Sequence, residues 1–178
     1  AVMLEFAAHC KQAYGYTARQ LDLGGGFGVR YVESDPSLDI DAKVGRLAAA
    51  VREACDRLGM EMPEIRIEPG RSIVANAGMT LYTVGTVKRI PGYKNYVSVD
   101  GSMADHPRYA LYGSQYTCML AGKMGEPQTL ACSVVGRCCE SGDIIQEHVK
   151  LPASVCRGDI LAVCTTGAYH YSMSSNYN

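Results

Sequence analysis

Between residues 24 and 28 the chain sets four glycines in five positions, Gly24-Gly25-Gly26-Phe27-Gly28, directly behind Leu21-Asp22-Leu23. The apolar-flanked stretch reads as the end of a buried strand, and a glycine run costs backbone entropy wherever it stands. Two arrangements account for it. One is a nest, in which backbone N–H groups converge on an anion such as a phosphate at a distance any side chain would block. The other is a tight strand-to-helix turn with no ligand. Two more specific phosphate motifs fail on spacing. The dinucleotide fingerprint needs Gly or Ala where Val29 stands, and the P-loop ends in a Gly-Lys-Ser/Thr that does not occur.

The glycine run sits inside an alternating pattern. Residues 1–14 place Val2, Met3, Phe6, Ala7, Cys10, Ala13 and Tyr14 at helical spacing, with Gly15 suited to the C-terminal end. Tyr16 to Leu23 reads as a strand. Asp41 to Leu58 carries Val44, Leu47, Val51, Ala54, Cys55 and Leu58 on one face and closes at Gly59. Glu64 to Glu68 reads as a second strand, stopped by Pro69-Gly70. Helix–strand–helix–strand is the rhythm of parallel α/β architecture. After about Ala77 the pattern becomes all-β. Met79–Ile90 alternates, and Asn95–Val99, Gln115–Leu120, Gln128–Val135 and Asp159–Val163 are short β-rich segments bounded by Gly, Pro or Asp.

The expected fold class is therefore α/β plus all-β, divided at 1–78 and 79–178. A complete eightfold barrel needs about 250 residues, so the first part is expected to be the C-terminal portion of a TIM (β/α) barrel. The second is expected to be a β-sandwich or β-barrel domain, truncated at its end. The chain starts without an initiator Met, within a helical pattern, and stops at Ser-Ser-Asn-Tyr-Asn with no capping logic. A fragment of a longer protein is expected.

Several function classes are set aside by composition. A formal net charge of −1 and the absence of a basic run give no field for nucleic acid or anionic membrane. No apolar stretch approaches the roughly 20 residues of a membrane span, and the first residues do not form a signal peptide. The eight cysteines form no Cys-x-x-Cys pair, and the four histidines share no metal-ligand spacing with them. Mostly buried thiols in a reducing compartment are expected, which points to the cytoplasm.

Four further stretches are candidates for chemistry. Glu68-Pro69-Gly70-Arg71 ends a strand at the same C-terminal edge as the glycine run, where α/β proteins gather ligand contacts. Without the glycines upstream, a surface turn with a solvated ion pair would be the plainer reading. Arg108 and Tyr112 stand four apart and could both reach an acidic ligand, or belong to a loop covering a core edge. Gly136-Arg137-Cys138-Cys139-Glu140-Ser141-Gly142-Asp143 places thiols beside carboxylates, which favours a protonated, proton-donating thiol over a thiolate. A buried Cys138 with a capping Glu140 is the plainer alternative. Thr165-Thr166-Gly167-Ala168-Tyr169 closes an apolar strand with a phenol.

In this order, Gly-Gly-Gly-Phe-Gly, Glu-Pro-Gly-Arg, Asp-Gly-Ser-Met with Arg-Tyr-Ala-Leu-Tyr, Cys-Glu-Ser-Gly-Asp and Gly-Ala-Tyr resemble the fold-type III pyridoxal-phosphate amino-acid decarboxylases. The resemblance spans positions 24 to 169 and is closest to the diaminopimelate branch, whose Cys-Glu-Ser-Gly-Asp differs from the Cys-Asp-Gly-x-Asp of ornithine-type relatives. It implies pyridoxal 5'-phosphate as cofactor, with Gly24, Gly25 and Gly26 cradling its phosphate. Gly70 and Arg71 would complete that edge, with Arg71 also near the substrate. Glu68 would pair with the pyridine nitrogen and Tyr169 would contact cofactor and substrate. Arg108 and Tyr112 would hold the substrate's distal carboxylate and Glu140 its distal ammonium. Cys139 would return a proton from a loop reaching the neighbouring subunit's site, which implies a homodimer.

The implied reaction is loss of CO2 from meso-2,6-diaminopimelate to give L-lysine. The alternatives are a decarboxylase of another basic amino acid, or a non-catalytic homologue that binds a decarboxylase subunit. The family's cofactor lysine and ring-stacking histidine belong to an upstream half. None of Lys11, Lys43, Lys88, Lys94, Lys123 or Lys150 has a matching context, so the fragment alone is expected to be inactive. Tyr109 also departs from the proline that relatives often carry after the arginine.

Overall fold

The structure, a computed structural model, describes residues 2–178 and divides into two compact units. The first comprises residues up to Gly28 with Ser37–Gly70, and the second Val29–Pro36 with Arg71–Asn178. Residues 29–36 and 71–78 thus belong with the β-rich unit rather than with the α/β segment that precedes it.

In the first unit, α1 (Val2–Tyr14), β1 (Gln20–Asp22), α2 (Ile40–Leu58) and β2 (Glu64–Arg66) follow the anticipated order. The start of α2 is set by Asp39, whose Oδ1 accepts from the Ala42 N–H at 2.9 Å, and its end by Gly59 at φ 61°. β1 and β2 pair in parallel, Leu21 opposite Ile65. Leu4, Leu21, Val51, Ala54 and Cys55 form a small core beneath them, with Leu58 and Ile65 packed against it.

The second unit contains α3 (Gly70–Val74, of which Gly70 closes the first unit), β3 (Met79–Arg89), β4 (Asn95–Val99), α4 (Arg108–Tyr112), β5 (Cys118–Leu120), β6 (Leu130–Val135), β7 (Ile144–Leu151) and β8 (Ile160–Cys164). The strands form one six-stranded sheet in the order β5-β8-β3-β4-β6-β7. Its two edge strands, β5 and β7, approach each other, so the sheet curls towards closure. All pairs are antiparallel except β4 with β6, where Val97 stands opposite Val134. The enclosed core holds Val84, Val97, Val134, Ile145, Leu151, Leu161 and Val163, each almost wholly buried. Burial of a side chain of this size contributes about 1.5–3 kcal/mol.

Two expectations change. The 107–113 stretch, read as a possible loop, is a helical turn closed by Gly113 at φ 62°, which puts Arg108 and Tyr112 on one face. The thiols are less buried than expected. All eight are free, but only Cys55 and Cys132 are buried, while Cys139 and Cys156 are exposed. Cys156 lies in a polar turn before β8, outside the sheet's apolar face.

Candidate active site

In the first unit the glycine run and the Glu68 turn meet at the C-terminal edge of the β1–β2 pair. The Leu23 N–H donates to the Arg66 carbonyl at 2.9 Å and the Glu68 N–H to the Gly24 carbonyl at 2.7 Å. Contact is so close that a Cβ at Gly25 would collide with the Glu68 carbonyl oxygen. Gly24 and Gly26 adopt φ 67° and 87°, the left-handed region glycine reaches without strain. The chain's own Asp22 accepts the Gly24 N–H through Oδ1 at 2.8 Å. Gly25 and Gly26 are left as the amides that can serve an anion. The loop lines a groove of about 470 Å³ with Lys43 and Arg46 of α2. Two cations and two amides suit a phosphate monoester. Lys43 and Arg46 were not singled out from the sequence; their signal is a shared helical face three residues apart. The Glu68 side chain is exposed.

In the second unit Tyr169 lies between two guanidinium groups. Arg71 Cζ is 5.0 Å and Arg108 Cζ 5.7 Å from its ring centroid. Arg108 also faces Tyr112 at 5.2 Å, and Arg71 faces Tyr31 at 6.0 Å. Among the described residues neither arginine forms an ion pair with a carboxylate. Tyr169 is at φ 62°, a conformation that costs a non-glycine residue of order 1 kcal/mol. It is placed there by the end of β8. The Thr166 and Gly167 N–H groups donate to the Gly78 and Ala75 carbonyls, and a Cβ at Gly167 would collide with the Val74 carbonyl. That close approach carries Tyr169 to Arg71 at the start of α3.

Arg108 is only 8% exposed. Its Nε–H donates to Tyr116 Oη at 2.8 Å and its Nη2 lies 3.5 Å from Ser114 Oγ. Tyr116 is surrounded edge-on by Tyr31, His106 and His170. His106 is fully buried with neither ring nitrogen partnered. Burial, His170 and the Arg108 cation together push its pKa down to about 3, so it is neutral at ordinary pH. Burial likewise lowers His170 and raises the Tyr116 phenol to about 12. Neutral rings thus surround a single charge.

The Cys138–Cys139–Glu140 loop is a separate constellation. Buried Asp143 accepts from the Met103 N–H at 2.6 Å and the Cys138 N–H at 2.7 Å, tying the Asp-Gly-Ser-Met stretch to the cysteine loop. Glu140 Oε1 accepts from the Gly142 N–H at 3.1 Å and its Oε2 from the Tyr177 hydroxyl at 2.8 Å. These bonds, the Gly142 amide foremost, hold its carboxyl below the usual range, so it is anionic at neutral pH. Cys139 is exposed. None of the contacts of Glu140 is to the arginine cluster. No cluster of His, Cys, Asp or Glu among the described residues could hold a metal, and no described helix is long and apolar enough to cross a membrane.

The expected residues thus fall into three groups: Gly24–Gly26 with Glu68 and Gly70, whose N–H donates to the Glu68 carbonyl at 3.0 Å, Arg71 with Arg108, Tyr112 and Tyr169, and Cys139 with Glu140. Asp143 is legible only as the last residue of the glycine-framed turn, without its role as a backbone acceptor. Tyr31, Tyr116 and Tyr177 carry no local signal.

Residues 14–167 match the family model described as pyridoxal-dependent decarboxylase, C-terminal sheet domain. The chain is 51% identical over 164 residues to the diaminopimelate decarboxylase of Staphylococcus aureus and 48% identical over 168 residues to that of Bacillus subtilis. These alignments cover 92% and 94% of this chain but 39% and 38% of those proteins, so it spans about two-fifths of their length. Among solved structures, diaminopimelate decarboxylase from M. jannaschii in complex with L-lysine superposes with a TM-score of 0.84 at 31% identity, over 98% of this chain and 39% of that one. The Helicobacter pylori enzyme complexed with L-lysine gives 0.80 at 31% identity, over 99% and 41%. With residues 14–167 matched by that family model, the chain belongs to the family of pyridoxal-dependent decarboxylases.

Proposed function

We propose that this chain is the carboxyl-side part of a decarboxylase that removes CO2 from the D-centre of meso-2,6-diaminopimelate and leaves L-lysine. One observation carries the reading: Arg71 and Arg108 bracket the Tyr169 ring, and among the described residues neither has a carboxylate partner. Two such cations call for two anionic groups, one on a cofactor and one on a substrate. On this reading residues 1–78 derive from the barrel domain and 79–178 from the C-terminal β domain.

The cofactor is pyridoxal 5'-phosphate, which when bound supplies a ring that withdraws the electron pair left behind as CO2 departs. The free amides of Gly25 and Gly26, with Arg71, hold its phosphate, while Gly24 and Gly70, whose N–H groups donate to Asp22 and to the Glu68 carbonyl, shape the turns at that edge. Glu68 accepts a hydrogen bond from the pyridine nitrogen and keeps that nitrogen charged. Tyr169 contacts cofactor and substrate with its ring. Arg108 binds the distal carboxylate with Tyr112 beside it, and the Glu140 carboxylate accepts from the distal ammonium. Those two charges of opposite sign distinguish a substrate with two amino-acid heads from ornithine or arginine, whose far ends carry no carboxylate. The Cys139 thiol donates a proton to the carbon that lost CO2.

An exposed Cys139 on a pinned loop suits a site shared between subunits, so the working form is a homodimer in the cytoplasm, with Cys139 and Glu140 serving the neighbouring site. The test is CO2 release by the full-length gene product with added cofactor, offered meso-diaminopimelate, ornithine and arginine in parallel. Turnover of diaminopimelate alone is expected. Turnover of another substrate would discard the specificity argument, and silence on all three would remove the reading altogether.

A further inference from the structure

The Arg108 guanidinium has five N–H donors, and the direction in which it can accept a carboxylate depends on which of them are already engaged. Nε–H is engaged by Tyr116 Oη at 2.8 Å, on the edge of the fork that it shares with Nη2. The Nη2 contact to Ser114 Oγ, at 3.5 Å, is at the limit of a hydrogen bond. A carboxylate can dock on an arginine side-on, through Nε and one Nη, or end-on, through both Nη groups. The Tyr116 hydroxyl occupies the side-on edge, and the end-on face remains.

Tyr116 is unusually well fixed for a residue with this task. It is 3% exposed. Its N–H donates to Gln146 Oε1 at 3.0 Å, which ties it to β7. Its ring meets Tyr31, His106 and His170 at centroid distances of 4.8, 4.9 and 5.1 Å, all near perpendicular. Edge-on packing of this kind adds specific geometry to burial. A hydroxyl on such a ring cannot follow a moving guanidinium; the guanidinium must come to it. The rings of Tyr112 and Tyr169 face the same Cζ at 5.2 and 5.7 Å and belong to exposed residues.

We propose that Tyr116 is the positioning residue of substrate recognition: its hydroxyl holds Arg108 Nε so that the guanidinium presents its end-on face to the substrate's distal carboxylate. The inference rests on the role of Arg108 proposed above. It assigns Tyr116 no contact with the substrate or the reacting carbon.

The test uses the full-length, cofactor-loaded protein and two ligands that differ by one carboxylate, L-lysine and 1,5-diaminopentane. Binding of each is measured by calorimetry for the unaltered protein, Tyr116→Phe and Arg108→Ala, and turnover of meso-diaminopimelate is measured in parallel. Phenylalanine keeps the ring in its aromatic box and removes only the hydroxyl. Tyr116→Phe should weaken L-lysine on the order of 10-fold, the loss expected for one charge-assisted hydrogen bond. It should leave 1,5-diaminopentane unchanged, and raise KM for diaminopimelate by a similar factor with kcat within about twofold. A purely structural role would weaken both ligands together, and that outcome overturns the proposal. If Arg108→Ala abolishes the preference for L-lysine while Tyr116→Phe keeps it, the positioning role is wrong and the function of Arg108 stands. If Arg108→Ala itself keeps the preference, both fall.

Discussion

Tyr177 donates its phenolic hydrogen to Glu140 Oε2 at 2.8 Å, while the opposite oxygen of the same carboxylate accepts the Gly142 amide. Both oxygens of the residue proposed to read the distal ammonium are therefore oriented by the chain itself. Tyr177→Phe should raise KM for meso-diaminopimelate about threefold without changing kcat, since it removes orientation but not charge. Glu140→Ala should cost far more, and should do so selectively. Equal losses on ornithine and diaminopimelate would show that the carboxylate does not read the second amino group.

Asp143 ties two motifs through backbone donors from Met103 and Cys138 and is 4% exposed. Asp143→Ala leaves two part-buried N–H groups without their acceptor, at about 1–2 kcal/mol in all. The thermal midpoint of the full-length protein should fall clearly. Asp143→Asn keeps the shape and one acceptor oxygen and should recover about half of the loss. An alanine variant as stable as the parent would mean that the loop is held by something else.

Gly25 has no room for a methyl group against the Glu68 carbonyl. Gly25→Ala must separate the glycine loop from the Glu68 turn. Full-length Gly25→Ala should therefore retain less pyridoxal phosphate after dialysis, by about tenfold in affinity, the equivalent of one or two lost amide contacts. Unchanged cofactor content, read from its absorbance, would place the phosphate elsewhere.

His106 gives the protein a defined weakness to acid. Its pKa is pushed to about 3 by burial, by His170 and by Arg108, against roughly 6.5 in an unfolded chain. Between those values the unfolded state binds a proton that the folded state refuses. Stability therefore falls as pH drops through the window, by up to about 1.4 kcal/mol per pH unit, and is unaffected above it. Glu147 and Asp159, lowered by Lys94 and Lys123, lose their contribution only below the carboxylate range, so pH 7 to 5 isolates the histidines. His170 is lowered too, mainly by burial, and shares the effect. His106→Phe should flatten the fall in unfolding midpoint between pH 7 and 5. Parallel curves for variant and parent would remove His106 as the cause.

What could be read in advance follows physical range. α2 was legible because everything that makes it is local: the Asp39 cap, the apolar face from Val44 to Leu58 and Gly59 beyond it. β7 was not, because its period breaks. The β6–β7 register shifts between Val134 and Val135, and His148 sits at φ 58°, so the run Ile144–Leu151 does not alternate cleanly. The site divides in the same way. The glycines and Glu68 announce themselves through short-range backbone chemistry. Tyr31 reaches Arg71 across 40 positions of sequence, and the value of Tyr116 lies in a bond from Arg108 on α4, back across the Gly113 turn, which no periodic pattern encodes.

The parallel pairing of β4 with β6 has a topological consequence. Antiparallel neighbours can be joined by a two-residue turn, whereas parallel neighbours oblige the chain to leave the sheet and travel back. Here the return trip runs from Asp100 to Thr129, and it carries α4, Arg108, Tyr112, Tyr116 and β5. The residues proposed to read the distal carboxylate thus lie on a detour that the sheet requires but whose content it leaves open. New specificities can arise by rewriting that passage while the strands on either side of it keep their register.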